Sequence, residues 1–165
     1  MSLPIRCATR DDLPDIQAVA QLAYAPYVAV MGQRPAPMDA DYNQLILERK
    51  TWLPTDPKVD AFCVFYPMGS LMHLETVAVH PQAQGRGLGT GLVTACEAAA
   101  QAAGLIGVAL YTNAKMEQNL RLYPRLGYQE TDRRREAGFE RVYFAKIWQT
   151  SAGDPLPGQG PSAKK

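Results

Sequence analysis

One stretch, Leu74–Gly104, limits the fold of this 165-residue chain more than any other. It reads LETVAVHPQAQGRGLGTGLVTACEAAAQAAG. The β-branched run Thr76–Val79 predicts a strand that Pro81 ends. Apolar or small residues then recur at helical spacing, at Leu88, Leu92, Cys96, Ala99 and Ala103. The sequence therefore predicts a strand, a glycine-rich turn and a helix in direct succession.

The glycines of this turn, Gly85, Gly87 and Gly89, fall where the predicted helix begins. The first N–H groups of a helix have no partner within it and lie at the positive end of its dipole, so they bind phosphate readily. Glycine has no Cβ, which lets a phosphate approach the main chain closely. The turn predicts an anion site, although the glycines could also serve only to pack a helix tightly onto a sheet.

Two common phosphate-binding patterns do not fit this turn. The dinucleotide pattern G-x-G-x-x-G fails because Thr90 and Leu92 stand where the third glycine belongs, and no G-x-x-x-x-G-K-[ST] occurs. The segment Gln84-Gly85-Arg86-Gly87-Leu88-Gly89, directly after LETVAVHP, instead resembles the Q/R-x-x-G-x-G/A signature of the GNAT superfamily of N-acetyltransferases. In that superfamily the signature follows a strand and holds the pyrophosphate of acetyl-coenzyme A.

The resemblance covers roughly Ile5–Trp148 and is specific from Leu74 to Tyr128. It implies a mixed α/β fold with a twisted, mostly antiparallel sheet, splayed fourth and fifth strands, and flanking helices. It also implies acetyl-coenzyme A as co-substrate, without a metal. The implied coenzyme-binding residues are Val77, Ala78, Val79, Gln84, Gly85, Arg86, Gly87, Leu88, Gly89, Thr90 and Asn119.

The main chain near Val77–Val79 has two expected roles at a splayed strand. Its unpaired N–H groups would polarise the thioester carbonyl and hold the pantetheine arm like an added strand. The side chain of Arg86 either reaches a phosphate or extends into solvent.

A second motif follows at Asn119–Tyr128, NLRLYPRLGY, and resembles the family's helix followed by L-Y-x-x-x-G-F/Y. The resemblance implies that Tyr123 protonates the departing thiolate; the alternative is a core tyrosine on a short helix. The family often has an asparagine seven residues before this tyrosine, where this chain has Met116. Whether Asn119 or Asn113 contacts the coenzyme therefore stays open.

A lysine-like acceptor needs a base, because at a pKa of about 10.4 only about one molecule in a few thousand is neutral at pH 7. Glu75 lies two residues before Val77 on the same strand face, so it is the predicted base, directly or through water. Some family members carry a glutamate on this strand in that role. The alternative is a carboxylate satisfied by an arginine or by solvent. His73 is a weaker candidate on the same face, and His80 is expected to bond to backbone.

The remaining elements follow from periodicity and breakers. The predicted strands are Ile5–Ala8, Thr51–Leu53, Val59–Tyr66, Leu71–Val79, Ile106–Tyr111, Tyr128–Arg135 and Arg141–Trp148. Further helices are predicted after Asp11, over Ala40–Lys50 with Asp39 as its cap, and over Glu117–Leu126 with Gly127 ending it. Pro26 is expected to end or kink the first helix, and Pro124 to kink the last one at Tyr123.

Composition excludes several other functions. Seventeen basic and sixteen acidic residues leave a net charge of +1, so nucleic acid and anionic membranes are not expected partners. Cys7, Cys63 and Cys96 are predicted core residues in a reducing compartment, and no apolar run reaches the roughly 18 residues of a membrane span. We expect a cytoplasmic protein with one domain over residues 1–150 and a disordered tail over residues 151–165, which is rich in Pro, Gly and Ser.

The predicted function is transfer of an acetyl group from acetyl-coenzyme A to an amine of a small molecule, peptide or protein, by direct attack in a ternary complex. The alternative is a non-catalytic acyl-coenzyme A sensor or binding module. Tyr24, Tyr27 and Tyr42 lie where the superfamily usually builds its acceptor wall, or they are packing residues. Dimerisation is common in the superfamily, so a homodimer is considered, but no interface is indicated.

Overall fold

The computed structural model describes residues 3–148, so the predicted disordered tail lies outside the described residues. The strands are β1 Ile5–Cys7, β2 Thr51–Pro54, β3 Ala61–Met68, β4 Leu71–Val79, β5 Gly107–Asn113, β6 Gln129–Glu136 and β7 Phe139–Ile147. The helices are α1 Leu13–Met31, α2 Tyr42–Leu47, α3 Leu88–Ala102 and α4 Glu117–Arg125. Each predicted strand lies within two residues of these bounds at either end.

The strands form a sheet in the order β1-β2-β3-β4-β5-β7-β6. Antiparallel pairing joins β1 to β2, β2 to β3, β5 to β7 and β6 to β7, while β4 and β5 are parallel. The parallel register joins Leu71–His73 to Gly107–Ala109. The predicted mixed α/β class with a mostly antiparallel sheet and flanking helices is therefore confirmed. No helix within residues 3–148 is long and apolar enough to span a membrane.

The chain divides into two compact units. Among the described residues, the first comprises residues 3–66 together with Leu74–Ala99, and the second comprises Pro67–His73 together with residues 100–148. Both β4 and α3 contribute residues to each unit. The single domain over residues 1–150 stays a prediction.

In the first unit, α1 is longer than the sequence predicts. Ile16, Val19 and Ala20 are buried, and Pro26 does not end the helix, which continues to Met31. Pro26 lies at an exposed position, where water can bond to the carbonyl that a proline leaves without a donor. Gly32, at φ 71°, ends the helix instead.

The second helix is shorter than predicted, and its cap is a different residue. Asp41, not Asp39, is the N-cap, and its side chain accepts a hydrogen bond from Gln44 N at 3.1 Å. Asp39 lies before the helix and pairs with Arg34 at 2.9 Å. Arg49 has φ 60°, a left-handed conformation that stops the helix before Lys50.

The three cysteines, all in the first unit, differ in burial. Cys63 and Cys96 are buried, and burial raises the pKa of both thiols. Cys7 is only half-buried.

The second unit contains the final hairpin and α4. The hairpin turns at Ala137 and Gly138, which both have positive φ, 52° and 82°. The last helix is continuous through Tyr123 and Pro124 to Arg125, the kink at Tyr123 stays a prediction, and Gly127 follows at φ 97°. Because Pro124 lies on the exposed side of α4, the helix tolerates it as α1 tolerates its proline.

Candidate active site

The glycine turn requires glycine at two positions. Gly85 has φ 85° and Gly87 has φ 78°, and beyond the glycine itself and its two chain neighbours no heavy atom lies within 4 Å of the place where either residue would carry a Cβ. Both positions are therefore fixed by backbone conformation and open to an approaching ligand. Gly89 differs, because it lies inside α3 and an added Cβ would be an ordinary 3.7 Å from Val79 Cγ2.

The turn leads straight into α3, which begins at Leu88. The N–H of Gly91 donates to Gly87 O at 2.9 Å and closes the first turn of the helix. The first turn contains no acidic residue, so the positive end of the helix dipole keeps its charge. Leu88 is half-buried, whereas the predicted coenzyme-binding side chains of Gln84, Arg86 and Thr90 are exposed. This arrangement suits a phosphate bound by main-chain donors.

One residue of the first unit, Asp60, bonds both to His80, at the end of β4, and to Arg86, within the glycine turn. Its carbonyl accepts a hydrogen bond from His80 N at 2.7 Å, and its carboxylate pairs with Arg86 Nη2 at 3.2 Å. The side chain of Arg86 is 59% exposed, so the ion pair leaves it accessible to solvent. His80 Nδ1 accepts from Gln82 N at 3.0 Å, which is the backbone bond expected of this histidine.

The strand β4 alternates between two faces. Thr76 and Ala78 are buried, while Glu75, Val77 and Val79 share the half-buried face. The side chains of Glu75 and Val77 therefore point to the same side of the strand, as predicted from the sequence. Glu75 Oε1 accepts a hydrogen bond from the hydroxyl of Tyr66 at 2.9 Å, so its observed partner is a tyrosine rather than an arginine.

The tyrosines of the first two helices have defined partners. Tyr24 donates to Val77 O at 2.9 Å, and Tyr42 donates to Pro37 O at 2.6 Å. The ring centroids of Tyr24 and Tyr27 are 6.5 Å apart. Burial raises the pKa of Tyr42, and the negative charge of Glu75 raises it further. The first unit thus places tyrosines close to both Glu75 and Val77 of β4.

Tyr66 carries no motif signal and is absent from the candidates that the sequence provides. Only its position near the end of β3, before the short turn to β4, could have suggested that it lies close to the β4 candidates. Lys50 lies against its ring, with Nζ 4.3 Å from the ring centroid.

In the second unit, Tyr123 is 6% exposed and packs among aromatic rings. Its ring centroid is 5.6 Å from that of Tyr128 and 5.9 Å from that of Phe144. The weaker base candidate His73 also lies in this unit, with its ring centroid 5.8 Å from that of Tyr111. This packing is what a core tyrosine would have, and the role of Tyr123 as an acid stays a prediction.

The two asparagine candidates both have partners within the second unit. Asn119 Nδ2 donates to Thr112 Oγ1 at 3.0 Å, and Met116 Sδ lies 3.6 Å from that same nitrogen. Asn113 Oδ1 accepts from Lys115 N at 2.9 Å. Met116, which stands where the family often has an asparagine, is buried, so its side chain contributes to packing at the start of α4.

The chain is similar in sequence and in fold to known acetyltransferases. Residues 16–128 match the acetyltransferase (GNAT) family. Sequence comparison with curated proteins finds no match. Among solved structures, the chain is similar to the ribosomal-protein-S18-alanine N-acetyltransferase from Escherichia coli, with a TM-score of 0.71, 20% identity, and 93% of this chain and 98% of that chain covered.

Two further solved structures have the same fold. The PaiA N-acetyltransferase from Thermoplasma acidophilum in complex with coenzyme A has a TM-score of 0.73 and 15% identity, with 90% of this chain and 100% of that chain covered. A chain of the NatC complex bound to Gag peptide and coenzyme A has a TM-score of 0.66 and 14% identity, with 90% and 100% covered.

Proposed function

Because the chain belongs to the GNAT family of acetyltransferases, we propose that it moves an acetyl group from acetyl-coenzyme A to an amine by direct attack in a ternary complex. The observation that carries this proposal is the turn after β4. Gly85 and Gly87 hold positive φ with open space at both Cβ positions, at the start of a helix whose first turn has no acidic residue. A diphosphate fits such a cradle.

The coenzyme would lie along the end of β4 and the turn. Acetyl-coenzyme A supplies the thioester that carries the acetyl group. The main-chain N–H groups of the turn and the first residues of α3 would bind its diphosphate, and the main chain of Val77–Val79 would bind the pantetheine arm. Arg86 lies between Gly85 and Gly87, pairs with Asp60 at 3.2 Å and is exposed, so it would add a charge-assisted contact to the diphosphate.

Two side chains are proposed to move protons. Glu75 would remove a proton from the acceptor's ammonium, directly or through water, because its carboxylate lies on the half-buried face that also carries Val77. Tyr123 would return a proton to the leaving thiolate. Tyrosine is an infrequent acid, and its contribution is expected to be partial because a thiolate with a pKa near 8.5 is already a fair leaving group.

The acceptor class is an amine of a peptide, protein or small molecule. Two of the similar structures carry a protein or peptide in their names: one is a ribosomal-protein-S18-alanine N-acetyltransferase, and the other is a complex bound to a Gag peptide. Peptide N-termini are therefore the first acceptors to test. Tyr24, Tyr27 and Tyr42 would form part of the wall that the acceptor meets.

A second candidate function is a non-catalytic acyl-coenzyme A sensor. The packing of Tyr123 between Tyr128 and Phe144 favours it, because a sensor needs this residue only as a core side chain. Both functions require coenzyme binding, and only turnover separates them.

The experiment is release of free thiol from acetyl-coenzyme A in the presence of an amine panel. The panel contains peptides with different N-terminal residues, a blocked lysine amide and small alkylamines. Glu75→Gln should lower the rate most at neutral pH and less at alkaline pH, where the amine loses its proton unaided, and the contrast should be greatest for the lysine amide. Coenzyme binding without turnover of any amine would favour the sensor.

A further inference from the structure

We propose that Tyr66 is a positioning residue that orients the carboxylate of Glu75 toward the acceptor amine. This inference rests on the proposed function, through the role of Glu75 as base. Tyr66 would not touch the reacting atoms. It would act by holding the group that does.

The contact that carries this inference is one hydrogen bond. The hydroxyl of Tyr66 donates to Glu75 Oε1 at 2.9 Å, across two adjacent strands of the first unit. A glutamate side chain rotates about three bonds, so a lone carboxylate on a half-buried strand face has several orientations to lose. A donor fixed to one carboxylate oxygen restricts the carboxylate plane and directs the second oxygen, which leaves that oxygen to accept the proton.

Tyr66 is itself held in place from the other side of its ring. Lys50 Nζ lies 4.3 Å from the ring centroid, within the range of a cation–π contact, and pairs with Glu48 Oε1 at 3.0 Å. The backbone of Lys50 is also fixed, because its N–H donates to Leu45 O at 2.9 Å and its carbonyl accepts from Phe65 N at 3.0 Å. The phenol is thus fixed at the ring by Lys50 and at the hydroxyl by Glu75.

A neutral hydroxyl suits this role better than a cation would. An arginine at the same carboxylate would place a full positive charge where an incoming ammonium must approach, and like charges at short range repel. Lys50 contacts the ring face of Tyr66, and its charge is balanced by Glu48. The negative charge of Glu75 also raises the pKa of Tyr42, but the hydroxyl of Tyr42 donates to Pro37 O.

The test is Tyr66→Phe, which removes the hydroxyl and keeps the ring against Lys50. We expect kcat to fall about tenfold with the blocked lysine amide and by about threefold or less with a peptide α-amine, while the Kd for acetyl-coenzyme A stays unchanged. A merely structural role would lower both rates equally, because packing does not depend on the pKa of the acceptor.

The matched control is Tyr143→Phe. Tyr143 also donates its hydroxyl to a glutamate, Glu136, but in the final hairpin. This variant therefore loses a bond of the same kind, and its kcat is expected to stay within twofold of wild type with both acceptors.

A double-mutant cycle with Glu75→Gln decides whether Tyr66 acts through Glu75. If it does, Tyr66→Phe should change kcat less than twofold once Glu75 is replaced. Independent, multiplying losses would overturn the positioning role, as would a Tyr66→Phe rate at the wild-type level while Glu75→Gln is slow. A Glu75→Gln enzyme as fast as wild type would instead remove the proposed base, and the inference with it.

Discussion

The glycine turn makes the sharpest prediction, because a pair of substitutions at Gly87 separates the effect of charge from that of backbone conformation. Gly87 has φ 78°, and its Cβ position is open, so a larger side chain strains the backbone without a steric clash. A left-handed conformation costs a non-glycine residue about 1–2 kcal/mol. Gly87→Glu and Gly87→Gln pay this strain equally, and they differ by one negative charge at the proposed diphosphate site.

The size of the charge effect follows from Coulomb's law. A carboxylate about 5 Å from a phosphate charge, at an effective dielectric constant of about 20, costs about 3 kcal/mol, which is a loss of roughly a hundredfold in affinity. We therefore expect the Kd for coenzyme A to rise well over tenfold more in Gly87→Glu than in Gly87→Gln. Isothermal titration calorimetry measures both values, and thermal unfolding checks that both variants fold.

Two further variants complete this design. Gly32→Glu places the same side chain at another positive-φ glycine, φ 71°, with an equally open Cβ position at the end of α1. It should lose stability as Gly87→Glu does but keep coenzyme affinity. Gly89→Ala should bind normally, because its Cβ makes an ordinary contact at 3.7 Å. Equal affinities of folded Gly87→Glu and wild type would refute the coenzyme site.

Four other variants test chemistry and stability. Tyr123→Phe keeps the packed ring, so kcat should fall by about ten- to a thousandfold with coenzyme Kd unchanged, and a kcat within twofold of wild type would leave Tyr123 as a core residue only. The Arg6 guanidinium, 2.9 Å away, lowers the pKa of Asp12 from 3.8 to about 2, so this carboxylate stabilises the fold above pH 4 and loses that effect as pH falls toward 2. Allowing for solvent screening at Arg6, Asp12→Asn should flatten the acid limb of the unfolding free energy by about 1–2 kcal/mol in urea titrations at stepped pH; an unchanged limb would contradict this. Thr51 is fully buried and its hydroxyl has no hydrogen-bond partner among residues 3–148, so Thr51→Val should raise the free energy of unfolding by about 1 kcal/mol. The control, Thr112→Val, removes the acceptor of Asn119 and should lower the free energy of unfolding.

The features that the sequence could predict are those that local chemistry determines. The strand β4, the turn and α3 follow from β-branched residues, glycines and helical spacing within one continuous stretch, and β4 has its predicted bounds, Leu71–Val79. The face shared by Glu75 and Val77 follows from the two-residue period of a strand. The family follows from the spacing of Gln84, Gly87 and Gly89, which the match over residues 16–128 confirms.

The features that escaped prediction depend on competition or on partners far away in the chain. Asp39 and Asp41 are equally good caps in sequence, and Asp39 is taken by Arg34. Pro26 breaks a helix only where the lost bond cannot be replaced, which depends on exposure. Tyr66 reaches Glu75 only because β3 and β4 are neighbours in the sheet.

The double attachment of Asp60 has a consequence for the timing of ligand capture. Its carbonyl and its carboxylate bond on either side of the segment from His80 to Arg86, so one residue closes that segment into a loop of fixed span. Loop-closure entropy is then lost when the chain folds and not when a ligand arrives. Association should therefore resemble docking to a rigid receptor, with a rate limited by encounter.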